Sequence, residues 1–321
     1  MNLSIIIEIF SMFKTLITKY VEDSNLLNLK QYSKILMGPK NRCMNLDEIY
    51  KLDRDYDAII NFGELKVDKK LLSFFNNLKI VCNLSIGIDN LNLNLIKSKN
   101  VFAVNCENVY TNGAADFTMG LILSITRKIN SAAQYTKLGK WKNFNPGEWD
   151  GLELNNKVLG VLGYGKIGKS VAKRAKSFGM KIIFNNRTDR NNKNYRSLNN
   201  LLKESDILTI HVSLNKDSIN LINRNNIHYM KENSFLINMS RGKVIEENAL
   251  IESLTNNKIQ GAALDVFSNE PNIPSQLIDL NNVILTPHIG GGTINGRLSA
   301  LKLVEDNIIK VIKNKIPPNK I

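Results

Sequence analysis

The chain has 321 residues and a mass of 36.2 kDa, long enough for two domains. Hydrophobic residues make up 43% and charged residues 22% of it, an ordinary globular balance that excludes disordered, collagen-like and disulfide-scaffold chains. Lys+Arg 43 against Asp+Glu 29 leaves a net charge of +14, an excess that raises nucleic acid as a partner. The charge has no polybasic arm, however, and the 46 asparagines beside many Lys and Ile point to composition bias, so no nucleic-acid partner is expected. The densest basic stretch, Lys166–Arg196, carries ten basic residues and a single acid, Asp189. Cys43, Cys82 and Cys106 have no CxxC spacing and no adjacent His, so neither a disulfide framework nor a metal site is expected, and a cytoplasmic location fits. Glu8 interrupts the apolar run Ile5-Ile6-Ile7, and no segment reaches the roughly 18 apolar residues of a membrane span.

In chain order, short apolar runs predict strands at Ser4–Phe10, Lys34–Met37, Ala58–Phe62, Leu78–Cys82 and Val101–Val104. Helix-length stretches such as Val67–Asn76 separate them, a βαβ pattern that predicts a parallel, flavodoxin-like sheet. Asn112–Ile129 reads as one long apolar helix, followed by a loop carrying Trp141, Pro146, Gly147 and Trp149. A second series predicts strands at Lys157–Leu162, Lys181–Phe184, Ile207–Val212, Phe235–Ile237, Gly261–Leu264 and Val283–Leu285, a doubly wound Rossmann-type sheet. An amphipathic helix, Asn295–Lys313, closes the chain. The expected fold is therefore α/β with two domains: 1–105 with 290–321, and 106–289 inserted between them.

Ligands of such sheets sit at the carboxyl ends of the strands. After Lys157–Leu162 comes Gly163-Tyr164-Gly165-Lys166-Ile167-Gly168, a GxGxxG at a strand–helix junction and hence a dinucleotide fingerprint. Gly163 makes the tight turn, Gly165 admits the pyrophosphate and Gly168 lets helix and strand pack. The N–H groups at Lys166 and Ile167 open the helix toward the phosphates. The same stretch, read to Lys169-Ser170, matches a P-loop literally, so a nucleotide triphosphatase is the competing class. After the next strand stands Asn185-Asn186-Arg187-Thr188, with no acid at the strand end. A carboxylate there would repel a 2′-phosphate, whereas Asn186, Arg187 and Thr188 could bind one, so NADP(H) is expected over a possible NAD(H).

Three further segments, Ile237-Asn238-Met239-Ser240-Arg241-Gly242, Ala262–Pro271 and Leu285–Gly291, closely resemble those of the D-isomer-specific 2-hydroxyacid dehydrogenases. The resemblance extends to Leu84–Asp89 and Thr111–Leu123 and covers most of the chain. It implies that Arg241, Glu270 and His288 are catalytic. It also implies that Asp265 holds the nicotinamide carboxamide, that Thr111, Ser240 and Gly290 belong to the cofactor site, and that the N–H groups around Ser85-Ile86-Gly87 bind the substrate carboxylate. The chemistry is coherent on its own terms. A guanidinium can grip carboxylate and carbonyl oxygens. An imidazole, which titrates near neutrality, can deliver the proton. A carboxylate bonded to that ring would orient it. His211 ends a strand and lines the adenine side, and His228 is structural.

Asn61-Phe62-Gly63-Glu64 forms a further wall of the site. Trp141 either borders the pocket from a neighbouring subunit or anchors a dimer contact. Glu107 and Ser213 stand where the family often has Pro, which affects loop geometry and not the reacting groups. No Tyr has a Lys four residues later, which excludes short-chain reductases. The resulting expectation is a homodimeric enzyme that reduces a small 2-oxo acid, glyoxylate or hydroxypyruvate, to the 2-hydroxy acid in an interdomain cleft, giving the D isomer where chiral. The alternatives are an NAD-dependent phosphoglycerate or D-lactate type dehydrogenase and, in a different class, a dinucleotide-sensing corepressor-like protein.

Overall fold

The computed structural model describes residues 12–188 and 191–321. The predicted strand Ser4–Phe10, and Asp189 and Arg190 of the basic stretch, lie outside the described residues. The chain divides after Tyr110 and after Gly292: one unit runs to Tyr110 and resumes at Thr293–Ile321, and the other is Thr111–Gly292.

Among its described residues the first unit holds five parallel strands: β1 (Phe13–Ile17), β2 (Ser33–Met37), β3 (Ala58–Asn61), β4 (Ile80–Asn83) and β5 (Phe102–Val104), in the order β2-β1-β3-β4-β5. That is the flavodoxin-like order. Hydropathy misses β1 because Lys14 and Thr15 interrupt its apolar pattern. Thr15 is fully buried all the same, its hydroxyl 2.7 Å from the Ser33 hydroxyl on the neighbouring strand, and a satisfied polar group can occupy a core position. Alternate residues feed two cores: Ile17, Ile60 and Cys82 point to one face, and Leu16, Ile59 and Val81 to the other. The expected helix around Val67–Asn76 is Lys69–Phe74, capped by the Asp68 carboxylate, which accepts from the N–H groups of Lys70 and Leu71. The last helix, Ile294–Ile312, begins at Thr293, whose hydroxyl accepts from Gly296 N–H, and buries Ala300, Leu301, Val304 and Ile308 against this unit's core.

The second unit holds six parallel strands: β6 (Val158–Leu162), β7 (Lys181–Asn185), β8 (Ile207–Ile210), β9 (Phe235–Asn238), β10 (Gly261–Leu264) and β11 (Val283–Leu285). Their order is β11-β10-β9-β8-β6-β7, extended beyond β7 by a single parallel bridge from Phe184 to Tyr195. With that bridge counted as a short third strand, the order is that of a dinucleotide-binding fold. The single helix expected at Asn112–Ile129 is two, Thr111–Thr126 and Ile129–Lys137. Lys128 breaks the helix with φ +53, and the orphan Thr126 carbonyl at its end accepts from Leu152 N–H at 2.8 Å. Among the described residues no helix is long and apolar enough to cross a membrane.

Candidate active site

The glycine turn joins β6 to the helix Lys166–Ser177 in three residues. Gly163 has φ +96, and a β-carbon there would lie 2.7 Å from the His211 backbone. A β-carbon on Gly168 would collide with the Gly163 carbonyl, so this glycine seats the helix on the turn. Gly165 faces open space, where a β-carbon would meet nothing, and the helix it caps has no side-chain cap on its N–H groups. That surface fits a pyrophosphate. Two polar atoms support the fit: Thr111 Oγ1 and His211 Nδ1 are buried without a hydrogen-bond partner among the described residues. Burial lowers the His211 pKa to about 3, so its ring is neutral, with Nε2 2.9 Å from the Thr209 hydroxyl. The P-loop alternative fails on geometry. Its helix would start at Gly168-Lys169-Ser170, but this helix starts at Lys166, the Lys169 ammonium lies over the Tyr164 ring, and the Ser170 hydroxyl accepts from Arg174 at 2.6 Å.

At the end of β7, the Asn185 amide donates to the Arg196 carbonyl at 2.7 Å, and the Asn186 amide donates to the Thr188 hydroxyl at 3.2 Å. Arg187 and Thr188 are exposed beside them.

The ends of β9, β10 and β11 build one cluster. Asn238 closes β9. Its Oδ1 accepts from the N–H and hydroxyl of Ser240 (3.1 and 3.0 Å), and its Nδ2 donates to the Arg241 carbonyl at 3.0 Å, fixing the turn that presents the half-buried Arg241. The next residue must be glycine, since a β-carbon on Gly242 would strike the backbone of Phe267 and Ser268. That approach brings the Arg241 turn against the loop carrying Glu270. Asp265, 2% exposed at the end of β10, accepts from the Thr286 hydroxyl (2.7 Å), Ile289 N–H (2.9 Å) and Gly290 N–H (2.7 Å). These three donors bracket His288, which has φ +54, so the carboxylate holds an otherwise strained loop. His288 Nδ1 lies 2.7 Å from Glu270 Oε2, and Glu270 Oε1 accepts from Phe267 N–H at 2.9 Å. Burial pushes the Glu270 carboxyl up. The hydrogen bonds from His288 and Phe267 and the charges of His288 and Arg241 more than offset it, and the net pKa lies below the ordinary value.

Ser85-Ile86-Gly87 follows β4 in the first unit and leads into a layer of asparagines. Asn61 donates to the Asn83 amide oxygen at 3.2 Å, Asn83 and Asn90 bond each other, and Asn61 Oδ1 accepts from Gly63 N–H at 2.9 Å. From sequence Asn61 is expected only as part of a wall of the site and Asn238 and Thr286 only as members of family segments, and no role is expected for Asn83 or Asn90. The signal was present as polar residues closing apolar strands; Asn238 caps its own turn, whereas the Asn61–Asn83 and Thr286–Asp265 bonds join separate strand ends.

The model of the D-isomer-specific 2-hydroxyacid dehydrogenase NAD-binding domain matches residues 119–290. A glyoxylate reductase of Thermococcus litoralis is 35% identical over 316 residues, spanning 95% of this chain and 96% of the relative. The chain belongs to the D-isomer-specific 2-hydroxyacid dehydrogenase family. As a member, this dehydrogenase is an oxidoreductase that uses a nicotinamide dinucleotide and acts on a small 2-oxo or 2-hydroxy acid. Among solved structures, a protein of Thermus thermophilus superposes with a TM-score of 0.92 at 29% identity, covering 96% of the dehydrogenase and 100% of that chain. The NADPH-dependent glyoxylate/hydroxypyruvate reductase of Sinorhizobium meliloti, solved with NADP and malonate, superposes with a TM-score of 0.82 at 26% identity, covering 97% of each chain.

Proposed function

We propose that the dehydrogenase reduces glyoxylate or hydroxypyruvate to the corresponding 2-hydroxy acid, with NADPH as the preferred reductant. The observation that carries this reading is the 2.7 Å contact of His288 with Glu270, built onto the same strand ends as Arg241. With Nδ1 held by Glu270, the Nε2 of a protonated His288 is free to give its proton to the C2 oxygen of the substrate. Arg241 pairs with the substrate's oxygens and polarises the C=O bond. Ser85, Ile86 and Gly87 take the carboxylate. When bound, the reduced nicotinamide supplies the hydride to C2, and the His288 proton completes the hydroxyl; in the reverse direction His288 takes that proton back. Gly163, Gly165, Lys166, Ile167 and Gly168 cradle the pyrophosphate, with Thr111, His211, Ser240, Asp265 and Gly290 completing the dinucleotide site.

The preference for NADPH rests on the β7 end. Asn185 is tied to Arg196, no carboxylate stands there among the described residues, and the exposed Arg187 and Thr188 suit a 2′-phosphate. A homodimer is part of the same reading: the helix Ile129–Lys137 buries no residue in its own chain, and Ile129, Leu138, Trp141 and Phe144 are 48 to 84% exposed on and after it. A panel of 2-oxo acids assayed with both cofactors tests the proposal. Glyoxylate or hydroxypyruvate should give the highest kcat/KM, with NADPH ahead of NADH, and Arg187→Ala should cut the NADPH preference by about tenfold or more. Higher rates with pyruvate or a phosphorylated acid overturn the substrate assignment, and equal or reversed cofactor preference overturns the Arg187 argument.

A further inference from the structure

The loop from Leu84 to Ile88 has an unusual hydrogen-bond balance. Five successive carbonyls are all taken: Leu84 by the Tyr110 hydroxyl (3.1 Å), Ser85 by Cys106 N–H (3.0 Å), Ile86 by the Asn105 amide (2.8 Å), Gly87 by the Asn83 amide (3.2 Å) and the Ser85 hydroxyl (3.1 Å), and Ile88 by Leu91 N–H (2.9 Å). Among the described residues no acceptor takes the N–H of Ser85, Ile86, Gly87 or Ile88. In a planar trans peptide the C=O of one residue and the N–H of the next point in opposite directions. Each captured carbonyl therefore aims the following N–H away from the scaffold. The Tyr110 bond aims Ser85 N–H, the Cys106 bond aims Ile86 N–H, the Asn105 bond aims Gly87 N–H, and the Asn83 and Ser85 bonds aim Ile88 N–H.

The donors are themselves fixed. Asn83 is fully buried and Asn105 is 8% exposed. Burial pushes the Tyr110 phenol up to about 12, so it remains a donor across the working pH range. A run of unpaired backbone N–H groups whose peptide planes are held in this way can serve as an anion cradle with little reorganisation when a carboxylate arrives.

We propose that Asn105 and Tyr110 are positioning residues for recognition of the substrate carboxylate, acting through the peptide planes they hold and not by touching the substrate; this rests on the assignment of Ser85-Ile86-Gly87 to the carboxylate. Asn105 governs the Gly87 N–H, and Tyr110 governs the Ser85 N–H at the entrance to the loop. Losing either donor frees one peptide plane to rotate, so the cost appears in binding of the carboxylate and not in the later proton and hydride transfer. The two residues lie in the last stretch of the first unit before the chain divides after Tyr110, where the sequence shows only a loop leading to a helix.

The test is steady-state kinetics with glyoxylate and inhibition by oxamate for Asn105→Ala, Asn105→Asp and Tyr110→Phe. Asn105→Asp keeps the volume and loses the donor, and Tyr110→Phe loses only a hydroxyl, so at least one variant reads out if Asn105→Ala fails to fold. The expected result is a rise of about tenfold in the glyoxylate KM and in the oxamate inhibition constant for the Asn105 variants, and a smaller rise for Tyr110→Phe. The KM for the dinucleotide and kcat should stay within about twofold of the parent. A fall in kcat with KM and oxamate inhibition unchanged overturns the proposal, as does a uniform loss in every parameter. Should the parent reduce no 2-oxo acid, the assigned function fails by itself. Calorimetric titration of the same proteins with oxamate then decides the positioning claim: weaker binding in the variants sustains it, while equal binding, or none by the parent, overturns it.

Discussion

At the scale of single residues, the chemistry is concentrated where side chains are held by more than one partner. His288 sits on a left-handed backbone that costs a non-glycine residue on the order of 1 kcal/mol or more, and Asp265 fastens the chain on both sides of it. Glu270 is oriented by Phe267 N–H before it reaches the imidazole. Replacing Glu270 with Gln should lower kcat by roughly 10- to 100-fold with dinucleotide affinity unchanged, because the ring loses its orienting carboxylate. The same variant has a thermodynamic signature. The Glu270 pKa is lower in the folded protein than in the unfolded chain, so its contribution to stability is present above the ordinary carboxyl value and is lost as the pH falls through the depressed one. The melting-temperature gap between parent and Glu270→Gln should therefore be full at neutral pH and close below about pH 4; a gap that widens on acidification contradicts it.

His211 gives a second pH test, without its ligand. Its folded pKa of about 3 lies below the ordinary imidazole value, so the unfolded chain binds the extra proton. Stability should be complete above about pH 6.5 and fall as the pH drops toward 3. His211→Gln, which does not titrate, should flatten that part of the profile measured by thermal melts of the ligand-free protein. An unchanged slope would mean that the ring is not buried neutral.

Secondary-structure elements decide how much a sequence can reveal. The glycine turn was legible because its requirements are local: a strand, three residues, a helix, and glycines at the positions where backbone meets backbone. The strand-end motifs carrying Arg241, Glu270 and His288 were legible through their resemblance to the family, since each of these residues taken alone also reads as an ordinary loop residue. What stayed hidden depends on partners far along the chain. β1 hides a buried Thr15 that is satisfied from Ser33, the long helix breaks at the left-handed Lys128 with its end carbonyl satisfied by the distant Leu152, and the asparagines behind Ser85-Ile86-Gly87 act across loops. The turn also separates binding from stability. Gly165→Val places its side chain in open space, so the protein should melt like the parent while dinucleotide affinity falls by about tenfold or more. Gly168→Ala drives a β-carbon into the Gly163 carbonyl and should lower the melting temperature by several degrees. Isothermal titration beside thermal melts measures both, and the reverse assignment of the two losses would contradict the geometry.

For the whole molecule, the +14 charge is spread over the chain, and its densest stretch runs from the helix that follows the glycine turn past the end of β7. Such a field can steer anionic cofactors and acids, an effect that salt weakens. The helix Ile129–Lys137 and the loop after it expose Trp141 at 61% and Phe144 at 84%, a large apolar display for a helix too short to be stable alone. Light scattering should give twice the 36.2 kDa chain mass, and Phe144→Asp should shift the population toward monomer. A monomeric parent at micromolar concentration would contradict this use of the helix and its loop.

The central claim is that His288 is the proton donor of a 2-oxo acid reductase. The most direct measurement is glyoxylate turnover by His288→Gln, set beside NADPH affinity from fluorescence titration. If His288 donates the proton, kcat falls by roughly 100- to 10,000-fold with the dissociation constant within about threefold of the parent. Turnover within tenfold of the parent would contradict it.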